Sequence, residues 1–228
     1  MKKYELILID ADDTLFDYPK GEETAFEESC NSFGINYDKE FHLGLYKKIN
    51  SKIWLEFEEK KISADELKTE RFRRFFAELG LKISAQEFSD CYLTNLGKAD
   101  YLLEGAEKLS EYLYNNYKLI LVTNGLSKVQ RSRISRSAIS EYYKDLVISE
   151  EIGTPKPEEG IFSKCLEVAE HTDKNTTLII GDNLGSDIKG GENFGIDTCW
   201  VNLNNKINET KINPTYEISS LSEVYQIL

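Results

Sequence analysis

Three carboxylates follow a short aliphatic run near the start of the chain. The run 5–9, of sequence ELILI, is followed by Asp10, Asp12 and Asp13. A continuous aliphatic run is typical of a buried parallel strand, and ligands of open α/β sheets bind beyond the carboxyl ends of such strands. Carboxylates this close repel one another unless a cation or a substrate group compensates their charge. The pattern favours a metal-dependent site at this strand end, although a solvated turn would also explain these residues alone.

Two further candidate groups follow later apolar runs. Thr123 and Asn124 come directly after the run LILV, so the Thr123 hydroxyl and nearby backbone N–H groups could bind an anion near a helix start. An ordinary turn followed by a helix N-cap would explain the same residues. Lys156 lies between Pro155 and Pro157, whose rings restrict the backbone on both sides. Such rigidity suits a lysine that must reach one particular anion.

A second pair of acids, Asp182 and Asp187, lies in the sequence GDNLGSD directly after the predicted strand 177–181. Capping of a following helix would explain Asp187 but not Asp182, because an unpaired carboxylate at a buried strand end is costly. The combination of two acid pairs, a hydroxyl and a lysine contains what phosphoryl transfer to a carboxylate requires. It offers a nucleophile, a proton donor, phosphate-binding groups and ligands for Mg²⁺.

The elements that must position these groups alternate along the chain. Further strand candidates follow the first one, and segments with apolar residues at helical spacing separate them. Strands that alternate with helices predict an α/β fold with a doubly wound, Rossmann-like parallel sheet. The later candidates are 118–123, 145–149, 177–181 and 198–202.

One interval is much longer than this alternation requires. Asp10 and Thr123 are 123 − 10 = 113 positions apart, whereas a βαβ unit needs only about 30 residues. Aromatic and aliphatic residues recur at helical spacing in four stripes through the interval. We therefore predict an all-helical domain, residues 17–96, inserted into an α/β core formed by residues 1–16 and 97–228. The aromatic stripes are expected to form the core of the inserted domain itself.

The composition limits the partners of the protein. The chain has 228 residues, with 28 Lys and Arg against 40 Asp and Glu, which gives a net charge of −12. A nucleic acid polymer is therefore an unexpected partner. The four cysteines form no CxxC pair, which disfavours disulfide scaffolds and zinc sites. The first apolar run is too short for a signal peptide or a membrane span. We expect a cytoplasmic protein with no membrane partner, either a monomer or a weak homodimer.

Taken in order, these motifs resemble the four motifs of the haloacid dehalogenase-like (HAD) hydrolase superfamily. The likeness covers essentially the whole chain, and the helical insert resembles the four-helix-bundle cap of that family. One departure is Asp13, where many members carry Gly; Asp tolerates tight turns better than most residues, so we expect the site to survive. The matching positions are Asp10-x-Asp12-x-Thr14-Leu15, Thr123, Lys156-Pro157 and Gly181-Asp182-x₄-Asp187.

The resemblance implies a role for each site residue. Asp10 would attack phosphorus and form an aspartyl-phosphate. Asp12 would protonate the leaving oxygen and then deprotonate the water that hydrolyses the intermediate. Thr123, Asn124 and Lys156 would bind the transferring phosphoryl group.

The resemblance also implies a Mg²⁺ cofactor. Its ligands would be the carboxylates of Asp10 and Asp182 and the backbone carbonyl of Asp12. Asp187 would either bind the ion directly or support the residues that do.

The second acid decides between branches of the family. The haloacid dehalogenases lack an acid at the position of Asp12, because their leaving group needs no proton, so Asp12 favours phosphate esters. Other strings resemble the pyrimidine 5′-nucleotidase branch, although a cap, rather than these strings, selects the rest of the substrate. Sugar-phosphate or acylneuraminate-phosphate phosphatases, a phosphomutase and a catalytically idle partner-binding protein remain alternatives. The strings are 10–17, 123–125, 186–191, 199–202 and 214–218.

Overall fold

The computed structural model describes residues 3–59 and 61–228. Met1, Lys2 and Lys60 fall inside the predicted domain ranges but lie outside the described residues. The chain divides by its internal contacts into two compact units. The first comprises Met1–Tyr18 and Asp100–Leu228, and the second comprises Pro19–Ala99. The second unit begins two residues and ends three residues later than the predicted insert, 17–96. Its role as a cap stays a prediction.

The second unit is helical and packs around its own aromatic residues. The Phe26 ring stacks on Tyr46 with centroids 4.5 Å apart and lies edge-on to Phe75 at 5.3 Å. All three rings are buried, so the aromatic stripes form the core of this unit, as the sequence predicts. The unit contains helices α1 (Tyr18–Ser32), α2 (Gly44–Glu58), α3 (Ala64–Leu79) and α4 (Ala85–Leu96), with a π-helical segment at Lys39–Leu43.

Local signals explain where helix α3 begins and ends. The Ser63 hydroxyl accepts the N–H of Glu66, and the Glu66 carboxylate accepts the N–H of Ser63. This reciprocal pair satisfies N–H groups that have no partner in the first helical turn. Gly80 follows the last helical residue with a φ of 65°, a left-handed conformation that glycine adopts without strain.

The first unit contains a sheet of six parallel strands in the order β3-β2-β1-β4-β5-β6. The predicted α/β class with a doubly wound parallel sheet is therefore confirmed. The strand β2 has the predicted limits, whereas β5 starts one residue earlier than predicted and β3 is shorter. The strands are β1 (Leu6–Ile9), β2 (Lys118–Thr123), β3 (Leu146–Ile148), β4 (Thr177–Gly181), β5 (Asp197–Val201) and β6 (Tyr216–Ile218).

The central strand β1 is buried on both faces. Ile7 and Ile9 pack into one apolar cluster, and Leu6 and Leu8 pack into a second cluster on the opposite face. This alternation follows from the two-residue period of a strand, and apolar residues on both faces explain the continuous aliphatic run. The helices of this unit are α5 (Ala106–Asn116), α6 (Ser127–Arg136), α7 (Ser149–Ile152), α8 (Glu159–Val168), α9 (Lys189–Phe194) and α10 (Val224–Ile227).

The helices in the described parts of the chain do not meet the requirements for crossing a membrane. There, no helix combines the length and the apolar character that crossing a bilayer requires.

Candidate active site

The predicted site residues of the first unit follow neighbouring strands. Asp10 follows β1, Thr123 ends β2 and Asp182 follows β4. Strand β1 pairs with β2 on one side and with β4 on the other, so these three positions lie at one edge of the sheet. Adjacent parallel strands end at the same edge, which is why residues distant in sequence meet there.

Lys156 reaches into this edge from the loop after α7. Its Nζ lies 2.5 Å from Asp10 Oδ1 and 2.6 Å from Asp187 Oδ1. Both contacts are ion pairs, and the first is also a hydrogen bond. Lys156 Nζ also donates to the carbonyl of Val122 at 3.1 Å, and the residue is only 4% exposed. The lysine therefore balances two buried carboxylates.

The side chain of Asn124 fixes the backbone of Lys156. The N–H of Lys156 donates to Asn124 Oδ1 at 2.8 Å, and Asn124 Nδ2 donates to the carbonyl of Lys156 at 2.9 Å. Both polar atoms of the Asn124 amide thus bind the backbone of Lys156. Thr123 is buried, and its Oγ1 accepts the N–H of Gly125 at 3.0 Å. Direct phosphate binding by Thr123 and Asn124 stays a prediction.

Asp187 lies in a π-helical segment, Leu184–Ile188, that packs against the end of β4. Its Oδ2 accepts the N–H of Asn183 at 3.0 Å. The Asp187 side chain fits here because Gly181 has no side chain. A Cβ on Gly181 would lie 2.4 Å from Asp187 Cγ. Asp182 is fixed through its carbonyl, which accepts the indole N–H of Trp200 at 2.8 Å. The loop after β4 therefore presents both acids in defined positions.

Burial and mutual repulsion make this cluster hold protons tightly. Burial, with repulsion from Asp187 and Asp12, raises the pKa of Asp10 to about 7 even though Lys156 acts in the opposite direction. Burial and repulsion from Asp10 and Asp187 raise the pKa of Asp182 to about 8. Burial alone would lower the pKa of Lys156, but Asp10 and Asp187 raise it above its usual value. One lysine does not fully compensate three acids.

The three acids have the arrangement that a divalent cation requires. One carboxylate oxygen from each of Asp10, Asp182 and Asp187 lies within 4.8 Å of the others. Asp187 Oδ1 is buried, and its counter-charge, Lys156 Nζ at 2.6 Å, is shared with Asp10. Clustered carboxylates are typical ligands of Mg²⁺, and a bound cation would relieve their repulsion. The residues therefore fit the predicted ion. The carboxylate of Asp12 is outside this group, and a contribution from its backbone carbonyl stays a prediction.

Asp13, which replaces the Gly of many family members, lies in a tight turn after β1. Asp13 has a φ of 60°, in the left-handed region that Asp tolerates better than most residues. Its N–H donates to the carbonyl of Phe16 at 2.9 Å. Burial, followed by repulsion from Asp12, raises the pKa of Asp13 to about 6.

Two residues that the sequence analysis missed contact Asp12. Gln130 Nε2 donates to Asp12 Oδ2 at 2.7 Å, and Arg133 Nη2 donates to Asp12 Oδ1. Both belong to α6 and both are 1% exposed. A signal was present in the sequence, because Gln130 and Arg133 share with Val129 and Ile134 the three- and four-residue spacing of one buried helix face. Polar residues on such a face need partners, but the pattern does not say which partners.

The chain is similar to known proteins over nearly its whole length. Residues 7–201 match the family described as haloacid dehalogenase-like hydrolase. The chain is 36% identical to the HAD-hydrolase YfnB of Bacillus subtilis (strain 168), over 100% of this chain and 97% of YfnB. It is similar to the crystal structure of YfnB bound to magnesium with a TM-score of 0.92, over 100% of this chain and 99% of that one.

Two further relatives have a named substrate class. The chain is 33% identical to the pyrimidine 5′-nucleotidase PynA of Streptococcus pneumoniae (strain ATCC BAA-255 / R6), over 99% of this chain and 95% of PynA. It is 31% identical to the pyrimidine 5′-nucleotidase YjjG of Escherichia coli (strain K12), over 99% of this chain and 98% of YjjG. Each likeness extends through the helical unit as well as the α/β unit.

Proposed function

Because the chain belongs to the haloacid dehalogenase-like hydrolases, we propose that it is a Mg²⁺-dependent phosphomonoesterase whose substrates are pyrimidine nucleoside 5′-monophosphates. The observation that carries this proposal is the convergence of Asp10, Lys156, Asp182 and Asp187 at one sheet edge. A nucleophilic carboxylate, a buried cation and ligands for a metal meet there. This set has the parts that transfer of a phosphoryl group to Asp10 would use.

In the first step, a carboxylate oxygen of Asp10 attacks phosphorus and the bond from phosphorus to the ester oxygen breaks. Lys156 lies against Asp10, so its charge favours the ionised nucleophile and can stabilise the phosphoryl oxygens during transfer. Asp10, Asp182 and Asp187 would hold Mg²⁺, which supplies further positive charge against the phosphoryl oxygens when it is bound. Asp12 gives its proton to the departing alkoxide.

In the second step, a water molecule attacks phosphorus and the bond to Asp10 breaks. Asp12, which lost its proton in the first step, takes one from this water and returns to its starting state. Asp10 leaves as a carboxylate beside Lys156, and inorganic phosphate is released. The proton and the nucleophile are thus both regenerated in each cycle.

Similarity to PynA and YjjG supports the nucleotide substrate. The likeness covers at least 99% of this chain at 31–33% identity, including the helical unit. If this unit acts as the predicted cap, it would select the group attached to phosphate, because the proposed roles of the α/β site residues concern only the phosphoryl part.

A substrate screen with Mg²⁺ tests the proposal. We expect the highest kcat/KM for dUMP, UMP and related pyrimidine monophosphates, and loss of activity after treatment with EDTA. A higher kcat/KM for sugar phosphates would reject the nucleotide assignment. Conversion of hexose 1-phosphate to hexose 6-phosphate without phosphate release would indicate a mutase. No hydrolysis of any ester would reject the phosphatase assignment.

A further inference from the structure

We propose that Gln130 and Arg133 are positioning residues that hold the Asp12 carboxylate in the orientation required for proton transfer to the leaving group. The proposal rests on the function proposed above, in which Asp12 is the general acid. It adds two residues from helix α6 that the motifs around Asp10, Thr123 and Lys156 do not include.

The two donors fix both oxygens of one carboxylate. Gln130 Nε2 donates to Asp12 Oδ2 at 2.7 Å, while Arg133 Nη2 donates to Asp12 Oδ1. Arg133 Nη2 also donates to Gln130 Oε1 at 2.9 Å, so the donors are tied to each other. Rotation of the Asp12 side chain would break at least one of these bonds. The carboxylate therefore has one preferred orientation as long as both donors are present.

Contacts with neighbouring residues restrict the positions of Arg133 and Gln130. The Arg133 guanidinium lies over the Phe16 ring, 4.5 Å from its centroid, and Phe16 belongs to the same turn as Asp12. Gly125 makes space for the other donor, because a Cβ there would lie 2.1 Å from Gln130 Nε2. Because Gly125 has no side chain, Gln130 can reach Asp12. The motif 123–125 thus affects the position of the proposed general acid.

Exposure distinguishes the acid from its two donors. The side chain of Asp12 is 27% exposed, whereas that of Arg133 is 1% exposed. The donors thus approach Asp12 from the protein interior and leave part of its carboxylate accessible. A buried ion pair with a purely structural role is often replaced by apolar residues without loss of stability, so stability alone gives little reason for this pair.

The test compares substrates whose leaving groups differ in their need for a proton. p-Nitrophenolate departs without a proton, whereas the 5′-alkoxide of dUMP requires one. We expect Gln130→Met and Arg133→Met to lower kcat/KM for dUMP by about 100-fold, a typical contribution of general acid catalysis, and for p-nitrophenyl phosphate by less than about tenfold. Because Asp12 also activates water, p-nitrophenolate should be released in a burst followed by a slower steady state.

Controls separate this role from a general effect on the fold. Arg131→Met changes a neighbouring arginine of α6 whose partner is Glu151 and whose side chain is 53% exposed, and it should leave both substrates unaffected. Arg133→Lys keeps a donor and should recover part of the activity on dUMP. In an Asp12→Asn background, Arg133→Met should cause no further loss, because its effect acts through Asp12.

Three results would overturn the proposal. The first is an equal loss on both substrates in Gln130→Met and Arg133→Met variants that melt like the wild type. The second is a full additional loss in the Asp12→Asn background. If Arg133→Met does not fold, wild-type kinetics on dUMP in Gln130→Met would overturn it as well. A wild-type protein without phosphatase activity would instead reject the proposed function, and this outcome is recognised before any variant is made.

Discussion

Lys156 Nζ lies 2.5 Å from Asp10 Oδ1, although 146 positions separate the two residues in the chain, and both side chains are almost completely buried. The same nitrogen lies 2.6 Å from Asp187 Oδ1. The lysine and the predicted metal therefore share two of their carboxylates. The charge balance of the site therefore depends on Lys156, Asp10 and Asp187 together.

Replacement of the nucleophile should abolish turnover. Asp10→Asn keeps the size of the side chain but offers an amide that is a poor nucleophile, so we expect hydrolysis to fall by more than about 1000-fold. The assay is release of inorganic phosphate from dUMP and from p-nitrophenyl phosphate. Asp65→Asn, at a side chain that is 93% exposed, serves as the control and should behave like the wild type. Turnover close to the wild-type rate in Asp10→Asn would contradict the aspartyl-phosphate mechanism.

Removal of the buried cation should affect stability as well as activity. Lys156→Met leaves Asp10 and Asp187 without their shared partner, and breaking a buried ion pair in this way costs about 3 kcal/mol or more of unfolding free energy. Urea denaturation without Mg²⁺ at about pH 7.5 measures this loss. The loss should be smaller near pH 5.5, because Asp10, with a pKa of about 7, is then protonated.

The control for the lysine variant is Lys164→Met. Lys164 pairs with Glu167 at the surface, and its removal should change the unfolding free energy by no more than about 0.5 kcal/mol. Equal stability of the Lys156→Met and Lys164→Met proteins would show that the buried contacts contribute nothing.

A methyl group at the end of β4 should weaken metal binding. In Gly181→Ala the new Cβ would lie 2.4 Å from Asp187 Cγ, so the Asp187 side chain must move. We expect Mg²⁺ affinity to fall by about 10- to 100-fold, as is typical when the support of a metal ligand is lost. Isothermal titration calorimetry with Mg²⁺ measures the change directly.

Gly44→Ala is the matched control for that variant. Gly44 has a φ of −60° at the start of α2, and a Cβ there would meet no atom within 4 Å. Alanine should leave Mg²⁺ affinity unchanged and stabilise the protein by about 0.4–1 kcal/mol, the effect of Ala for Gly at a compatible position. Wild-type affinity in Gly181→Ala would exclude Asp187 from the metal site.

Mg²⁺ should oppose the pH dependence of stability that the site acids cause. The pKa values of Asp10, about 7, and Asp182, about 8, lie above the ordinary value of 3.8, so the folded protein binds protons more tightly than the unfolded chain. Without metal, the free energy of unfolding should therefore fall as the pH rises from about 4 to 8. Mg²⁺ binds ionised carboxylates, so the stabilisation it brings should grow over the same range.

Thermal melting at a series of pH values, with and without Mg²⁺, checks this linkage. The shift in melting temperature caused by Mg²⁺ should be larger at about pH 9 than at about pH 6. Calorimetry in buffers of different ionisation enthalpy should also show that Mg²⁺ binding releases protons near pH 7. A larger shift at the lower pH would contradict the assignment of these acids as ligands.

Much of the fold follows from local sequence patterns. The run at β1 is aliphatic at every position because both faces of this strand are buried, and the predicted strands at β2 and β4 have the observed limits. Limits differ where the signal is weak. Within the string 214–218, only Tyr216–Ile218 forms a strand, β6, because a short strand at the sheet edge has pairing on one side only.

The sequence alone determined which residues are candidates for chemistry, because Asp10, Thr123, Lys156 and Asp182 each follow a recognisable strand or lie in a restricted loop. Only the tertiary structure decided how they meet: Lys156 contacts Asp10 and Asp187, and Asn124 serves the lysine backbone. It also decided that α6 supplies donors to Asp12. The physical reason is that periodicity reports which face of an element is buried, whereas the partner of a buried polar group depends on how distant elements pack.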